Sequence, residues 1–206
     1  MQNDWAAEHL QVIRTLMERS AVYRRALAPI MLLLGTLGLL AGIAGTLLDL
    51  GTMTAFGLFW SGIAVVAVIG AFLLARRQSL RDREPFWSPP TRRVAQALLP
   101  SLTSGLCLGL VLSLATEEDF IPLFVLLCVF FYGCALHAAG FFMPRGIRLF
   151  GWLFVIGGCV LIFAAQSWPN LRTTEAAHGV MGGFFGVLHL AYGIYLFFSE
   201  KRRSSA

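Results

Sequence analysis

The sequence predicts an all-α membrane protein in which six transmembrane helices follow a cytoplasmic amphipathic helix. The first observation behind this fold class is composition: of 206 residues, 57% are hydrophobic and only 13% are charged. A globular domain has about a quarter of its residues charged. A chain with half that share cannot cover a water-facing surface, so a soluble fold is excluded and the lipid bilayer is the expected environment.

The second observation is the spacing of apolar runs, since about 20 helical residues cross the roughly 30 Å of hydrocarbon in a bilayer. Six runs reach this length, at approximately 28–48, 53–75, 94–115, 120–142, 147–166 and 176–198. Pro29 and Pro122 lie near the starts of the first and fourth runs, where a helix tolerates the missing N–H. The runs make up a transmembrane domain over 28–198, followed by a basic cytoplasmic tail over 199–206.

The third observation is that cationic residues fall on one side of these runs. Fifteen of the sixteen Lys and Arg residues lie in the N-terminal segment, the 76–93 loop, the fourth connection or the tail, and only Arg172 lies opposite. Because cytoplasmic loops carry the excess of Lys and Arg, both termini are predicted to be cytoplasmic. The net charge of +5 then divides into +9 on the cytoplasmic face and −4 on the outer face. The distribution of charge therefore indicates how the chain is oriented in the membrane, and it does not indicate nucleic-acid binding.

The two longest segments outside the runs are both on the cytoplasmic side. Residues 1–27 form an amphipathic helix when projected at 100° per residue, with Trp5, Ile13 and Leu16 on one side and Arg14 and Glu18 on the other. We interpret it as an interfacial helix, and docking on a protein partner or on the 76–93 loop is the alternative. That loop holds six arginines beside Phe86 and Trp87, which favours a topology signal that attracts anionic headgroups, with partner binding as the alternative.

Very few ionisable residues remain inside the apolar runs. No Asp, Glu or Lys lies in the middle of a run, which weakens a proton-coupled carrier because such proteins depend on intramembrane carboxylates. The histidines are His137 in the fourth run and His178 and His189 in the sixth. His178 and His189 are eleven residues apart, so an ideal helix is expected to place both on one face, about 16 Å apart along the axis. Because the depths of His137 and His189 differ by only about 6 Å, the candidate intramembrane polar site comprises His137, His189, Tyr132 and Tyr192.

The favoured interpretation of these histidines is a structural one, hydrogen bonding between closely packed helices. Small-residue pairs such as Gly179/Gly183 and Gly182/Gly186 lie beside the histidines of the sixth run and allow that close packing. A haem b ligated by His137 and His189 is the alternative, and we predict no cofactor and no metal ion. Pro100 is expected to kink the third helix. The secondary candidates for a polar site are His178, Pro100, Ser101, Thr103 and Ser104. The glycine-rich helix faces, as in Gly35 to Gly45, also suit an oligomer.

No motif identifies a catalytic activity. The four cysteines, all within apolar runs, have no CxxC spacing, and neither an HExxH nor a GxSxG sequence is present. Three functional hypotheses remain: a non-catalytic accessory, scaffold or regulatory subunit, which we favour, a small carrier or channel, and a haem- or quinone-binding redox protein. The compact chain favours a bacterial inner (plasma) membrane. The last two hypotheses require His137, His189 and the hydroxyls after Pro100 to meet in one cavity.

Overall fold

The computed structural model describes residues 26–83, 85–114 and 120–204, and it is built from helices. Six helices are long and apolar enough to cross a membrane, which confirms the all-α fold and the six predicted spans. The predicted amphipathic helix over 1–27 lies outside the described residues except for Ala26 and Leu27. Those two residues belong to the first membrane-spanning helix and are buried.

The elements follow the predicted order. They are α1 (Ala26–Leu47), α2 (Met53–Arg81), α3 (Pro89–Ser113), α4 (Ile121–Ala139), α5 (Arg145–Ser167), a 3₁₀ turn (Pro169–Arg172), α6 (Thr174–Met181), a π-helical turn (Gly182–Val187) and α7 (Leu188–Ser204). The sixth span runs from α6 through the π turn into α7, over Thr174–Ser199.

Helix α2 is longer than its apolar run. Its 29 residues extend about 43 Å at 1.5 Å per residue, whereas the predicted span ended at residue 75. The basic residues that follow do not break a helix, so α2 continues until Asp82 caps it, and Arg83 then adopts a positive φ of 55°. Helix α3 likewise starts early, at Pro89, because proline is tolerated in the first turn.

Helix α4 lies at the centre of the bundle, where it packs against α2, α3, α5 and α6. The core beside it is largely aromatic and aliphatic, with Phe56, Phe124, Phe154 and Val129 almost fully buried. Helices α2 and α3 lie at the periphery. Within the most apolar window of each helix, 6% of α2 residues and 11% of α3 residues are buried, compared with 28–44% in the other four spans.

Glycines bring two pairs of helices into close contact. A Cβ added at Gly42 would lie 2.9 Å from Gly182 Cα, and one at Gly35 would lie 2.5 Å from Leu190 N, so α1 crosses the sixth span with almost no side chains between the backbones. Helices α4 and α5 meet in the same way at Gly133 and Gly151. Apolar burial cannot pull helices together in lipid, so this close packing is what stabilises the bundle.

Candidate functional site

His189 lies at the centre of the best-defined polar cluster and is fully buried. Its Nε2 is 2.7 Å from the Tyr132 hydroxyl, and its Nδ1 is 3.1 Å from the Phe184 carbonyl oxygen. A carbonyl oxygen can only accept a hydrogen bond, which assigns the imidazole proton to Nδ1. Nε2 then accepts from the Tyr132 hydroxyl, so both ring nitrogens of a neutral histidine have partners.

Aromatic rings enclose this hydrogen-bonded pair. The rings of Phe150, Phe154 and Phe185 have centroids 5.0, 5.5 and 6.2 Å from that of His189. Tyr192 stacks on Phe150 with centroids 4.8 Å apart. We call the four rings around His189, those of Phe150, Phe154, Phe185 and Tyr192, the His189 cage. In such apolar surroundings, a lost hydrogen bond costs more than it would at a surface.

The π turn decides which neighbours the two histidines of the sixth span contact. The Leu188 N–H donates to the Gly183 carbonyl five residues earlier, so the turn contains one residue more than an α-helical turn. One extra residue rotates everything beyond it by about 100°. His178 consequently contacts α1 and α2, while His189 contacts α4 and α5. The expectation that the two histidines share a face is therefore wrong.

His178 lies at the end of the bundle that contains the 48–52 connection, which we call the short-loop end. The Trp60 indole N–H donates to its Nδ1 at 3.1 Å, and the Phe56 ring packs 4.6 Å away between centroids. Nε2 makes no hydrogen bond of ordinary geometry with a described residue, although the backbone of Leu50 approaches the ring. Sequence reasoning missed Trp60, because 118 residues separate it from His178 and only packing brings them together.

His137 lies apart from the His189 cage. Five residues separate it from Tyr132 along α4, which corresponds to about 140° around the helix. Its ring packs against Trp152 and Phe141, with centroids 5.0 and 5.4 Å away. Its Nδ1 is buried and has no hydrogen-bond partner among the described residues. The structure thus brings Tyr132, Tyr192 and His189 together and leaves out His137.

This placement does not suit a haem held between the two histidines. His189 uses both ring nitrogens within the protein, so an axial bond to iron would have to displace the Tyr132 hydroxyl or the Phe184 carbonyl. His137 packs on α5 through Trp152 and has no ring contact with His189. Within the described part of the chain, no group of three metal-ligating side chains occurs.

The hydroxyls that follow Pro100 bond to the backbone of their own helix. Thr103 Oγ1 donates to the Leu99 carbonyl at 2.7 Å, and Ser104 Oγ donates to the Pro100 carbonyl at 2.8 Å. Both residues are exposed and Ser101 is half-buried. Thr103 and Ser104 therefore lie on the surface of α3, and neither is among the residues that contact His189.

The described residues also form an apolar cavity of about 200 Å³ near the short-loop end. It lies between α4, α5 and α6 and is lined mainly by aliphatic side chains, with Gln166 and Arg172 as its polar members. None of the candidate histidines or tyrosines lines it. The cavity and the His189 cage are consequently separate features of the bundle.

The fold and these clusters define the class of protein: a helical bundle with six helices of membrane-spanning length and composition, as expected of a polytopic integral membrane protein. Comparison of the chain with protein-family models, with curated proteins and with solved structures finds no match.

Proposed function

We propose that the protein is a non-catalytic membrane subunit, an accessory or scaffold protein that binds another membrane-spanning helix on the hairpin formed by α2 and α3. The observation that carries this proposal is the peripheral position of the two helices. With 6% and 11% of their apolar windows buried, against at least 28% in every other span, they offer the largest helical surface for a partner.

The chemistry of that surface suits helix association in lipid. A Cβ added at Gly62 would have no atom within 4 Å, so the α2 backbone is open to a close neighbour there. On α3, the exposed Thr103 and Ser104 hydroxyls donate within their own helix and keep oxygen lone pairs that can accept a hydrogen bond from a neighbouring helix. Small residues allow helix backbones to approach, and hydroxyls add hydrogen bonds across the contact. A second copy of the chain or a different membrane protein would use the same surface.

The interior supports the same proposal because His178 and His189 form hydrogen bonds inside the bundle and do not share a polar path. His189 pairs with Tyr132 and the Phe184 carbonyl, and His178 accepts from Trp60. A carrier or channel needs polar groups along one continuous path. Here the two histidines contact different helices, and the hydroxyls after Pro100 lie on the surface, which argues against the carrier and redox alternatives.

We also propose that the arginine-rich end of the bundle, with the 82–88 connection between α2 and α3, faces the cytoplasm of a bacterial inner membrane, so that both termini are cytoplasmic. Helix α2 exceeds the hydrocarbon thickness by roughly 13 Å, which leaves room for Arg76, Arg77 and Arg81 to lie among the headgroups and beyond. All three are exposed. A positively charged end is retained on the cytoplasmic side.

Orientation is tested with single-cysteine variants in a background in which the four native cysteines are replaced by alanine. A membrane-impermeant maleimide added to intact cells is expected to label Leu48→Cys and to leave Trp87→Cys unlabelled until the cells are opened. Both wild-type side chains are exposed, so accessibility within the protein does not bias the comparison. Labelling of Trp87→Cys in intact cells would reverse the assignment.

Partner binding is tested by incorporating a photoreactive amino acid at position 62 and, as a matched control, at position 179. Both glycines have open space at Cβ, so the two replacements are matched in the room available at the point of attachment. Irradiation of intact membranes is expected to give a discrete protein adduct from position 62 and only lipid adducts from position 179. If position 62 also gives only lipid adducts, the hairpin faces lipid and the proposal fails.

A further inference from the structure

The cavity near the short-loop end combines an apolar interior with one cation. Leu126 of α4, Leu161 of α5 and Val180 of α6 are among its aliphatic walls, and Arg172 belongs to the same lining. We call it the Arg172 cavity. A volume of about 200 Å³ holds roughly six or seven groups of about 30 Å³ each. Sites for drug-sized molecules run to about 300–1,000 Å³, so this cavity suits a segment of a single hydrocarbon chain.

Arg172 is held in place by the backbone. Its Nε donates to the Ala165 carbonyl at 2.8 Å, which ties the guanidinium to the end of α5. Among the described residues, the two terminal nitrogens have no hydrogen-bond partner, and a guanidinium presents five N–H groups in a planar fork. Phosphate and carboxylate oxygens match that fork, and the pairing is strongest with a charged acceptor.

The position of Arg172 along the sequence narrows the chemical class of ligand that the cavity can bind. It is the single Lys or Arg within the three connections at the short-loop end, 48–52, 114–120 and 168–173. Arg172 is therefore not part of a ring of basic residues that contacts lipid headgroups at this end. An isolated cation beside an apolar cavity, at the level where a membrane helix ends, is complementary to a molecule with one anionic group joined to a hydrocarbon chain.

We propose that the Arg172 cavity binds one phospholipid of the adjacent leaflet, with a segment of one acyl chain between α4, α5 and α6 and its phosphate on the Arg172 guanidinium. This lipid site is separate from the partner surface on α2 and α3. Binding does not require the His189 cage either, because no residue of the cage lines the cavity.

The test uses the full-length protein in phosphatidylcholine nanodiscs doped with phosphatidylglycerol that carries a diazirine near the middle of one acyl chain. After irradiation, peptide mass spectrometry measures labelling of the α5 segment 161–166 and of Val180. A chain-matched diacylglycerol probe, which lacks the phosphate, measures how much labelling the apolar surface alone produces. A soluble glycerol phosphate is added as a competitor to measure how strongly the phosphate group binds without an acyl chain.

Arg172→Gln is expected to reduce cavity labelling by phosphatidylglycerol about fivefold, to the level of the diacylglycerol probe, as one cation near a headgroup contributes about 1 kcal/mol. Arg93→Gln, which removes an exposed arginine from the opposite end, is expected to leave cavity labelling unchanged. Excess glycerol phosphate is expected not to compete. Competition by it would show a free phosphate site and overturn the lipid assignment.

A second pair of variants tests the cavity without changing charge. Val180→Phe fills the cavity and is expected to abolish the excess labelling of segment 161–166, whereas Val160→Phe makes the same change at an exposed position of α5. Heat stability of each variant is measured alongside, and the Val180 pair remains informative if Arg172→Gln does not fold. The proposal is overturned if labelling of the α4–α6 cavity equals that of the exposed faces of α2 or is insensitive to both Arg172→Gln and Val180→Phe.

Discussion

The crossing of α1 with the sixth span leads to a sharp prediction about Gly38. A Cβ added there would overlap the Phe185 carbonyl group and lie 2.7 Å from Gly186 N. Ordinary contacts between heavy atoms need about 3.5–4.0 Å, so the two backbones would have to separate by about 1 Å. Gly38→Ala is therefore expected to destabilise the protein, even though alanine is the better helix former.

The magnitude follows from a comparison with Gly179→Ala, whose added Cβ has no atom within 4 Å. Both changes gain up to about 1 kcal/mol of helix propensity, and this gain cancels between the two variants. Overpacking costs about 1–3 kcal/mol. At about 2–4 °C per kcal/mol for a chain of this size, Gly38→Ala should melt roughly 2–12 °C below Gly179→Ala.

The assay is size-exclusion chromatography in mild detergent after heating, with the surviving monodisperse peak plotted against temperature. Helical circular dichroism at 20 °C serves as the check that both variants fold. A melting temperature for Gly38→Ala equal to or above that of Gly179→Ala would refute the view that backbone contact, and not side-chain packing, holds α1 to the sixth span.

Three further variants test the buried polar groups by the same measurement. Tyr132→Phe is expected to cost about 1–3 kcal/mol, because it leaves the buried Nε2 of His189 without a donor. Trp60→Phe removes the donor to His178 Nδ1 and should cost a similar amount, so wild-type stability in either variant would contradict the hydrogen bonds assigned here. His137→Phe should be near neutral, since its Nδ1 has no partner among the described residues. A large loss there would reveal an unrecognised role for that ring.

The number and order of the helices were predictable because hydrophobic length is a local property. A run of about 20 apolar residues specifies a span whatever it packs against, and six such helices are present. Helix ends were less predictable. Arg76 to Arg81 looked like a loop by hydropathy, yet α2 continues through them, because a helix outside hydrocarbon depends on caps and propensity and not on apolarity.

The candidate site was predictable only in part. Placing Tyr132, Tyr192 and His189 in one cluster required no more than their similar depth in the bilayer. Adding His137 to that cluster assumed that α4 presents it on the same side as Tyr132, whereas the two residues are about 140° apart around α4 and the His137 ring packs against Trp152 and Phe141. Depth follows from counting residues, but the direction of a side chain depends on how each helix is rotated against its neighbours.

By itself, the sequence determined that this chain is a bundle of six membrane-length helices. The length and low charge of an apolar run decide whether it can cross a bilayer, whichever residues it later packs against. Only the tertiary structure decided which polar groups meet. The π turn at Gly182–Val187 rotates His189 toward Tyr132 and leaves His178 facing Trp60. One extra residue in a helical turn is not visible in a 100° projection, because the projection assumes 3.6 residues in every turn.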